Sequence, residues 1–263
     1  MSVLTAEAVT LGYGATEIVR AASLGVGAGE LLALCGPNGS GKTTLLSALA
    51  GDLAPRAGRV LLAGAEIATM RPATLARGRA VLEQSPSLTA NFDVATLAAL
   101  GIPREIGPEA AREIVARILA ALDLGDRAGM AVALLSGGQR HRAHLARALA
   151  QLEAGRRLGA GHALLLDEPT ASLDIAHQIG VMRAARTAAR EGAAVVVVLH
   201  DLNLAAAFAD RIALMSEGAI RSMGPPEAVL TGAGLSALYG TPLGVDLAAG
   251  VVRVTPDFHA AQS

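Results

Sequence analysis

The sequence predicts an α/β fold with a mostly parallel sheet, and three observations point to it. Short apolar runs alternate with amphipathic segments of helical length over much of the chain. Residues 193–199 are apolar throughout, which is typical of a parallel strand covered on both faces. A glycine-rich loop separates an apolar run at 31–35 from a helical segment. This alternation favours a parallel sheet with helices on both sides.

The composition narrows the classes of protein that the chain can belong to. It has 263 residues, a net charge of −1, no Trp, two Tyr and three Phe, so it lacks the aromatic side chains on which nucleic-acid bases stack. The single cysteine, Cys35, excludes an internal disulfide. No apolar run approaches the roughly 20 residues of a membrane helix, and the N-terminus does not resemble a signal peptide. We expect a cytosolic protein that does not bind nucleic acid.

The N-terminal part is expected to form a small antiparallel β-subdomain. Two strands, over 3–11 and 18–26, are separated by the turn-prone sequence Gly12-Tyr13-Gly14. Further strands are expected over 31–35 and 58–63, a helix that ends near Gly51 follows the glycine loop, and a short helix over 72–80 leads into the apolar stretch before Gln84.

The character of the chain changes between residue 85 and about residue 140. Residues 108–122 predict an amphipathic helix, and prolines punctuate the segment, so we interpret it as a helical subdomain inserted into the core. Residues 1–231 then form the main domain, and 232–263 form a C-terminal extension. The remaining core elements are expected to be helices over 139–152, 175–190 and 202–209 and strands over 163–167, 194–199 and 211–215.

The glycine-rich loop fits the P-loop pattern G-x-x-x-x-G-K-[ST] at every defined position. Its glycines let backbone N–H groups wrap a phosphate chain, and the helix that follows adds its unpaired N–H groups. Lys42 supplies a cation for the outer phosphates, and the Thr43 hydroxyl is placed to bind Mg²⁺. The strand before the loop and the helix after it favour this function over an incidental turn. The predicted nucleotide-binding residues are Gly36, Pro37, Asn38, Gly39, Ser40, Gly41, Lys42, Thr43 and Thr44.

A buried strand ends in two acids in the sequence Leu164-Leu165-Leu166-Asp167-Glu168-Pro169. Asp167 would reach the edge of the sheet beside the phosphate loop, where Mg²⁺ needs an oxygen ligand. Glu168 could polarise a water molecule that attacks the γ-phosphate. Two solvated acids at a strand end would be the alternative, and the P-loop in the same chain argues against it.

A second helix N-terminus that could bind a phosphate group is predicted at Leu135-Ser136-Gly137-Gly138-Gln139. This sequence resembles the signature motif of ATP-binding cassette (ABC) ATPases, and the resemblance covers residues 3–231. Other residues match the motifs of that family in order: Tyr13 the aromatic residue near adenine, Gln84 the Q-loop glutamine, Asp167 and Glu168 the Walker B pair, Ser172-Leu173-Asp174 the D-loop, and His200 the switch histidine.

The resemblance implies a P-loop NTPase core that binds ATP and Mg²⁺ in a homodimer. ATP on the P-loop of one subunit would be covered by Ser136, Gly137, Gly138 and Gln139 of the other. Glu168 would be the catalytic base, His200 would hold the γ-phosphate, and Lys42 and Gln84 would complete the catalytic set. The implied metal ligands are Thr43, Gln84 and Asp167, and Asp174 and Tyr13 would contribute to the nucleotide site.

A cassette without transmembrane segments resembles the ATPases of bacterial importers. The resemblance implies a peripheral subunit at the cytoplasmic face of the inner membrane, with separate permease subunits and a periplasmic or surface substrate-binding protein. The stretch around Gln84-Ser85-Pro86 is similar to importers for haem, iron-siderophore and cobalamin, and the run 145–152 and the pair His177-Gln178 are similar to haem-import ATPases. Iron-siderophore or cobalamin import, a soluble ABC ATPase and a small-molecule P-loop kinase remain as alternatives.

Two histidines share a helix face in the segment that follows the signature motif. His141 and His144 have the i, i+3 spacing that could hold a metal. No carboxylate or third ligand lies nearby in the sequence, so we interpret them as part of a solvated face. Arg140, Arg142 and Arg147 are expected on the same helix surface.

Overall fold

The computed structural model describes residues 2–84, 92–171, 173–248 and 250–257. Part of the expected Q-loop region, from Ser85 to Leu88, and Ser172 of the expected D-loop lie outside the described residues. No helix in the described ranges is both long enough and apolar enough to cross a membrane.

The described elements follow the expected alternation closely. The strands are β1 (Ser2–Tyr13), β2 (Thr16–Gly27), β3 (Leu31–Cys35), β4 (Ala57–Leu62), β5 (Ala65–Glu66), β6 (Arg79–Leu82), β7 (Ala163–Asp167), β8 (Ala194–Val198), β9 (Arg211–Ser216), β10 (Ala219–Gly224), β11 (Leu243–Ala248) and β12 (Val251–Pro256). The α-helices are α1 (Lys42–Ala50), α2 (Pro72–Gly78), α3 (Val94–Ala99), α4 (Pro108–Ala121), α5 (Gly137–Arg157), α6 (Ile175–Arg190), α7 (Leu202–Phe208), α8 (Pro226–Val229) and α9 (Gly232–Tyr239).

Two larger sheets form the frame of the molecule. The first has the order β2-β1-β4-β5 and is antiparallel. The second has the order β10-β9-β3-β8-β7-β6, in which every pair is parallel except β10 with β9. The predicted fold class is therefore confirmed, including the antiparallel N-terminal subdomain and the mostly parallel core.

The central parallel strands are short and almost entirely apolar, and both of their faces are covered. All five residues of β3, β7 and β8 are buried. Side chains on one face join a cluster with α5, α6 and the helical segment around α4, and those on the other face pack with α1 and the antiparallel sheet. This burial fixes the carboxyl ends of the three strands, and the loops that leave those ends carry the predicted site residues.

Helix α5 differs from the expected solvated helix in both length and burial. It continues to Arg157 rather than ending at Leu152, and the helices of the inserted segment cover one of its sides. His144 is 3% exposed and Arg142 is 6% exposed, so the prediction of a solvated face was wrong. The Arg142 guanidinium donates to the Leu122 carbonyl oxygen at 2.8 Å, which compensates part of the cost of burying its charge.

The described residues after residue 231 pack onto the core. Leu235 of α9 and Val252 and Val254 of β12 are buried in the cluster that contains α5 and α6. The division between a main domain and an extension at residue 231 stays a prediction, since the extension shares the core of the preceding residues.

Candidate active site

The predicted P-loop wraps its own lysine. Lys42 is buried, with 5% of its surface exposed. Its Nζ donates to the carbonyl oxygens of Gly36 and Pro37 at 2.9 Å each. Burial also lowers the pKa of this amine below 10.5, an effect that the negative charges of Glu168 and Asp167 oppose. The ammonium group therefore occupies the inside of the loop, where a phosphate chain is expected.

Glycine is required at the first position of the loop because the backbone is crowded there. Gly36 has φ of +145°, and a Cβ at this position would lie 2.1 Å from the Met215 carbonyl oxygen. The turn between β9 and β10 supports the loop further on, since the Gly218 N–H donates to the Ser40 carbonyl oxygen at 3.2 Å. The Ser40 hydroxyl is buried and has no hydrogen-bond partner in the described structure, which leaves a polar group available inside the loop.

Thr43 and Asp167 lie together where α1 begins and β7 ends. The Thr43 hydroxyl donates to Asp167 Oδ1 at 3.2 Å, and Asp167 is 4% exposed. Burial raises the pKa of the Asp167 carboxyl, and the hydrogen bond from Thr43 opposes that effect. Both residues line a cavity of about 190 Å³ together with Gln84. Hydroxyl, carboxylate and amide oxygens are ligands of the kind that Mg²⁺ prefers, so the side chains present fit this ion.

Glu168 is held between two side chains that come from other strand ends. Its Oε1 lies 2.7 Å from His200 Nε2, and its Oε2 accepts a 2.9 Å hydrogen bond from Gln84 Nε2. Its backbone has φ of +48°, a conformation that is uncommon outside glycine and often occurs at functional sites. The structure therefore brings together the three residues that were predicted to act on the γ-phosphate and the attacking water.

A cleft of about 330 Å³ connects Glu168 with the phosphate loop. Residues 38–39 and 41–44 of the loop line it together with Glu168 and Ile18. The sequence reasoning missed Ile18, which β2 carries across to the loop. A Cβ added at Gly41 would lie 2.9 Å from the side chain of Val19, which follows Ile18 in the chain. Strand β2 therefore packs tightly on the start of α1. The sequence predicted a strand at this position, but it did not predict that the strand lies against the phosphate loop.

The signature sequence forms a capped helix start, as expected. Ser136 is the N-cap of α5, and its hydroxyl accepts from the Gln139 N–H at 3.3 Å. The Gln139 side chain accepts from the Ser136 N–H at 3.0 Å, so it completes a capping box. Gly137 has open space where a Cβ would point, and Gly138 faces Leu173. Within the described residues, no hydrogen bond or ion pair joins this helix start to the P-loop of the same chain.

Tyr13 and Asp174 are not among the residues that line the cleft around Glu168. The Tyr13 ring is 55% exposed at the tip of the β1–β2 hairpin, as an aromatic residue that receives a flat ligand would be. Asp174 is the N-cap of α6 and accepts from the His177 N–H at 2.9 Å. Backbone and side-chain hydrogen bonds from His177 hold the pKa of Asp174 below 3.8. The roles of both residues in nucleotide binding stay predictions.

The P-loop, the acids at the end of β7 and the histidine after β8 define a class of protein, the nucleoside-triphosphate hydrolases of the P-loop type. A model of the ABC transporter family matches residues 19–171. The chain belongs to the ABC transporter family. It is therefore an ATP-binding subunit in which hydrolysis of ATP is coupled to transport.

Similar proteins of known name and structure agree with this family. The hemin import ATP-binding protein HmuV of Rhizobium meliloti (strain 1021) is 40% identical over 246 residues, which cover 93% of this chain and 94% of the relative. HmuV of Nocardia farcinica (strain IFM 10152) is 45% identical over 234 residues, which cover 88% and 78%. A dimeric bacterial ABC transporter cassette superposes with a TM-score of 0.74 at 25% identity over 85% of this chain and 98% of that one.

Proposed function

We propose that this chain is the ATP-hydrolysing subunit of a bacterial haem importer. Two copies would close around ATP and drive a separate membrane permease, which receives haem from a periplasmic or surface substrate-binding protein. The observation that supports the chemistry is the contact of Gln84 and His200 with the two carboxylate oxygens of Glu168. The similarity to proteins named as hemin import ATP-binding subunits supports the choice of substrate.

The proposed binding step begins with an exchange of partners inside the P-loop. Lys42 would leave the carbonyl oxygens of Gly36 and Pro37 and contact the outer phosphates instead. The N–H groups at the start of α1 would hold the phosphate chain, since they are unpaired in the first turn of any helix. The exposed ring of Tyr13 would stack on the adenine. The Lys42 contact replaces hydrogen bonds that the loop already makes, so binding does not require a new fold.

The proposed hydrolytic step uses Glu168 as the general base. Its carboxylate would accept a proton from the water that attacks the γ-phosphate, and the bond from phosphorus to the β,γ-bridging oxygen would break. His200 would keep Glu168 in place and stabilise the γ-phosphate. Thr43, Asp167 and Gln84 would hold Mg²⁺, which would withdraw charge from the phosphate oxygens.

The helix start at residues 136–139 would act on the nucleotide of the partner subunit. In the described residues it has no hydrogen bond to its own P-loop, and its two glycines leave the first N–H groups open to an anion. A second helix N-terminus on the far side of the triphosphate would add a positive dipole end. ATP would thus join the two subunits, and its hydrolysis would allow them to separate.

Purification through a tag on this chain, followed by reconstitution, tests the proposal. We expect a membrane permease to copurify, and we expect ATPase activity in proteoliposomes to rise with a haem-loaded substrate-binding protein. Cobalamin and a ferric siderophore serve as matched substrates. Stimulation by one of these in place of haem would refute the substrate assignment, and the absence of a permease from the complex would refute the transport function.

A further inference from the structure

The C-terminal segment of residues 232–257 packs on the core and is hydrogen-bonded to α7, the helix that follows His200. They form α9 and the antiparallel hairpin of β11 and β12. Leu235, Val252 and Val254 anchor them in the core, so the segment is held firmly enough to position its neighbours. Two polar groups, from Tyr239 and Asn203, lie where this segment meets the core.

Tyr239, the last residue of α9, lies behind the first residue of the P-loop. Its ring packs on the core, and its hydroxyl is buried without a hydrogen-bond partner in the described structure. Burial raises the pKa of this phenol to about 12, the nearby Cys35 adds to the effect, and a backbone interaction with Gly36 opposes it. The hydroxyl therefore lies beside the peptide that joins Cys35 to Gly36. A buried, unpaired hydroxyl is costly, and this one adjoins a loop that must exchange partners when it binds phosphate.

Asn203 ties the hairpin to the helix that follows His200. Its Nδ2 donates to the Val254 carbonyl oxygen at 3.1 Å, and its Oδ1 accepts from the Val254 N–H at 2.8 Å. The side chain thus pairs with β12 as a neighbouring strand would. Helix α7 begins directly after Asp201, whose carboxylate caps it. The hairpin is therefore fixed to the element that sets the direction of the chain at His200.

We propose that residues 232–257 position the ATPase site, with Tyr239 acting on Gly36 and the Asn203–Val254 pairing acting on His200. This inference rests on the proposed function. Lys42 binds the Gly36 carbonyl group, and the buried Tyr239 hydroxyl, which makes no hydrogen bond within the described residues, lies near the Gly36 backbone. When Lys42 moves to the phosphates, the Tyr239 hydroxyl accepts a hydrogen bond from the Gly36 N–H and keeps the loop in its binding shape. Tyr239 and Asn203 are positioning residues, since neither contacts the nucleotide.

The substitution Tyr239→Phe distinguishes a positioning role of the Tyr239 hydroxyl from a purely structural role. It removes only the hydroxyl and keeps the ring that packs on the core. A structural role predicts unchanged kinetics and an unchanged or raised melting temperature, because an unpaired buried hydroxyl is lost. Positioning predicts a KM for ATP that is about threefold to tenfold higher, the range for one lost hydrogen bond, with kcat nearly unchanged. An unchanged KM would overturn the role of Tyr239.

The substitution Asn203→Ala tests the other contact with the opposite kinetic signature. We expect kcat at saturating ATP to fall by about threefold to tenfold and KM to stay the same, since Asn203 acts behind His200. A lower melting temperature with unchanged kcat would overturn the role of Asn203. Leu247→Ser, at an exposed position of the same hairpin, is the matched control and should behave as wild type. A wild-type protein without ATPase activity would refute the proposed function itself, whereas an active wild type with silent variants would refute only this inference.

Discussion

Replacement of the candidate base by its amide, Glu168→Gln, tests the chemistry of the site most directly. The amide has the size of the carboxylate, and its oxygen can still accept from Gln84 or His200, which contact Glu168 at 2.9 Å and 2.7 Å. The side chain therefore stays in place and only its basicity is lost. Removal of a general base slows a reaction by about 10²- to 10⁴-fold, which raises the activation free energy by about 3–5 kcal/mol.

Single-turnover hydrolysis of labelled ATP, nucleotide binding and size-exclusion chromatography measure the three consequences. We expect the hydrolysis rate to fall by the stated factor, the affinity of the monomer for ATP to stay the same, and an ATP-bound dimer to accumulate. Glu227→Gln removes the same charge at an exposed position and should hydrolyse ATP at the wild-type rate. A Glu168→Gln variant that loses less than about tenfold in rate would refute the assignment of Glu168 as the base.

Three further predictions concern other parts of the chain. Ser136→Arg should abolish the ATP-dependent dimer but keep monomer affinity, with Ser136→Ala as the control for the lost helix cap; a large loss of monomer affinity would contradict an action on the partner's nucleotide. Folding lowers the pKa of His144 from 6.5 to about 4, through burial and the charge of Arg147. Above pH 6.5 this shift costs no stability, because the imidazole is neutral in both states. As the pH falls from 6.5 toward 4, the unfolded chain binds a proton that the folded chain does not, and the free energy of unfolding decreases. His144→Leu should reduce the stability lost between pH 7 and pH 4 by up to about 3 kcal/mol in urea titrations, and an unchanged loss would count against this origin. Burial raises the pKa of Cys35 to about 12, so iodoacetamide should label it only after unfolding; labelling of the native protein would contradict that burial.

Local patterns in the sequence predicted the frame of the molecule well. Strand β7 and helix α6 begin and end where the pattern placed them, because a short apolar run that ends in an acid and an amphipathic helix are both clear signals in a sequence. The P-loop carries its own context of strand and helix. The site residues at the ends of β6, β7 and β8 could be placed together for the same reason, since parallel strands deliver their carboxyl ends to one edge.

The features that sequence reasoning missed all depend on contacts between distant segments. His144 and Arg142 look solvated along α5 alone, and they become buried because the inserted helices cover that side. Tyr239 has no motif of its own, and its place behind Gly36 follows from the packing of α9 on the core. Such roles are set by tertiary neighbours, which a local pattern does not encode.

The position of Gln84 indicates how the helical subdomain could act on hydrolysis. Strand β6 lies at one end of the parallel sheet, and Gln84 follows it at the border of the inserted segment. A single 2.9 Å hydrogen bond then connects this border to Glu168. A displacement of Gln84 would remove one of the two side chains that contact Glu168, without any rearrangement of the buried strands. Because the other partner, His200, comes from β8 and stays with the core, the pair would convert a movement of the subdomain into a change in the direction of one carboxylate.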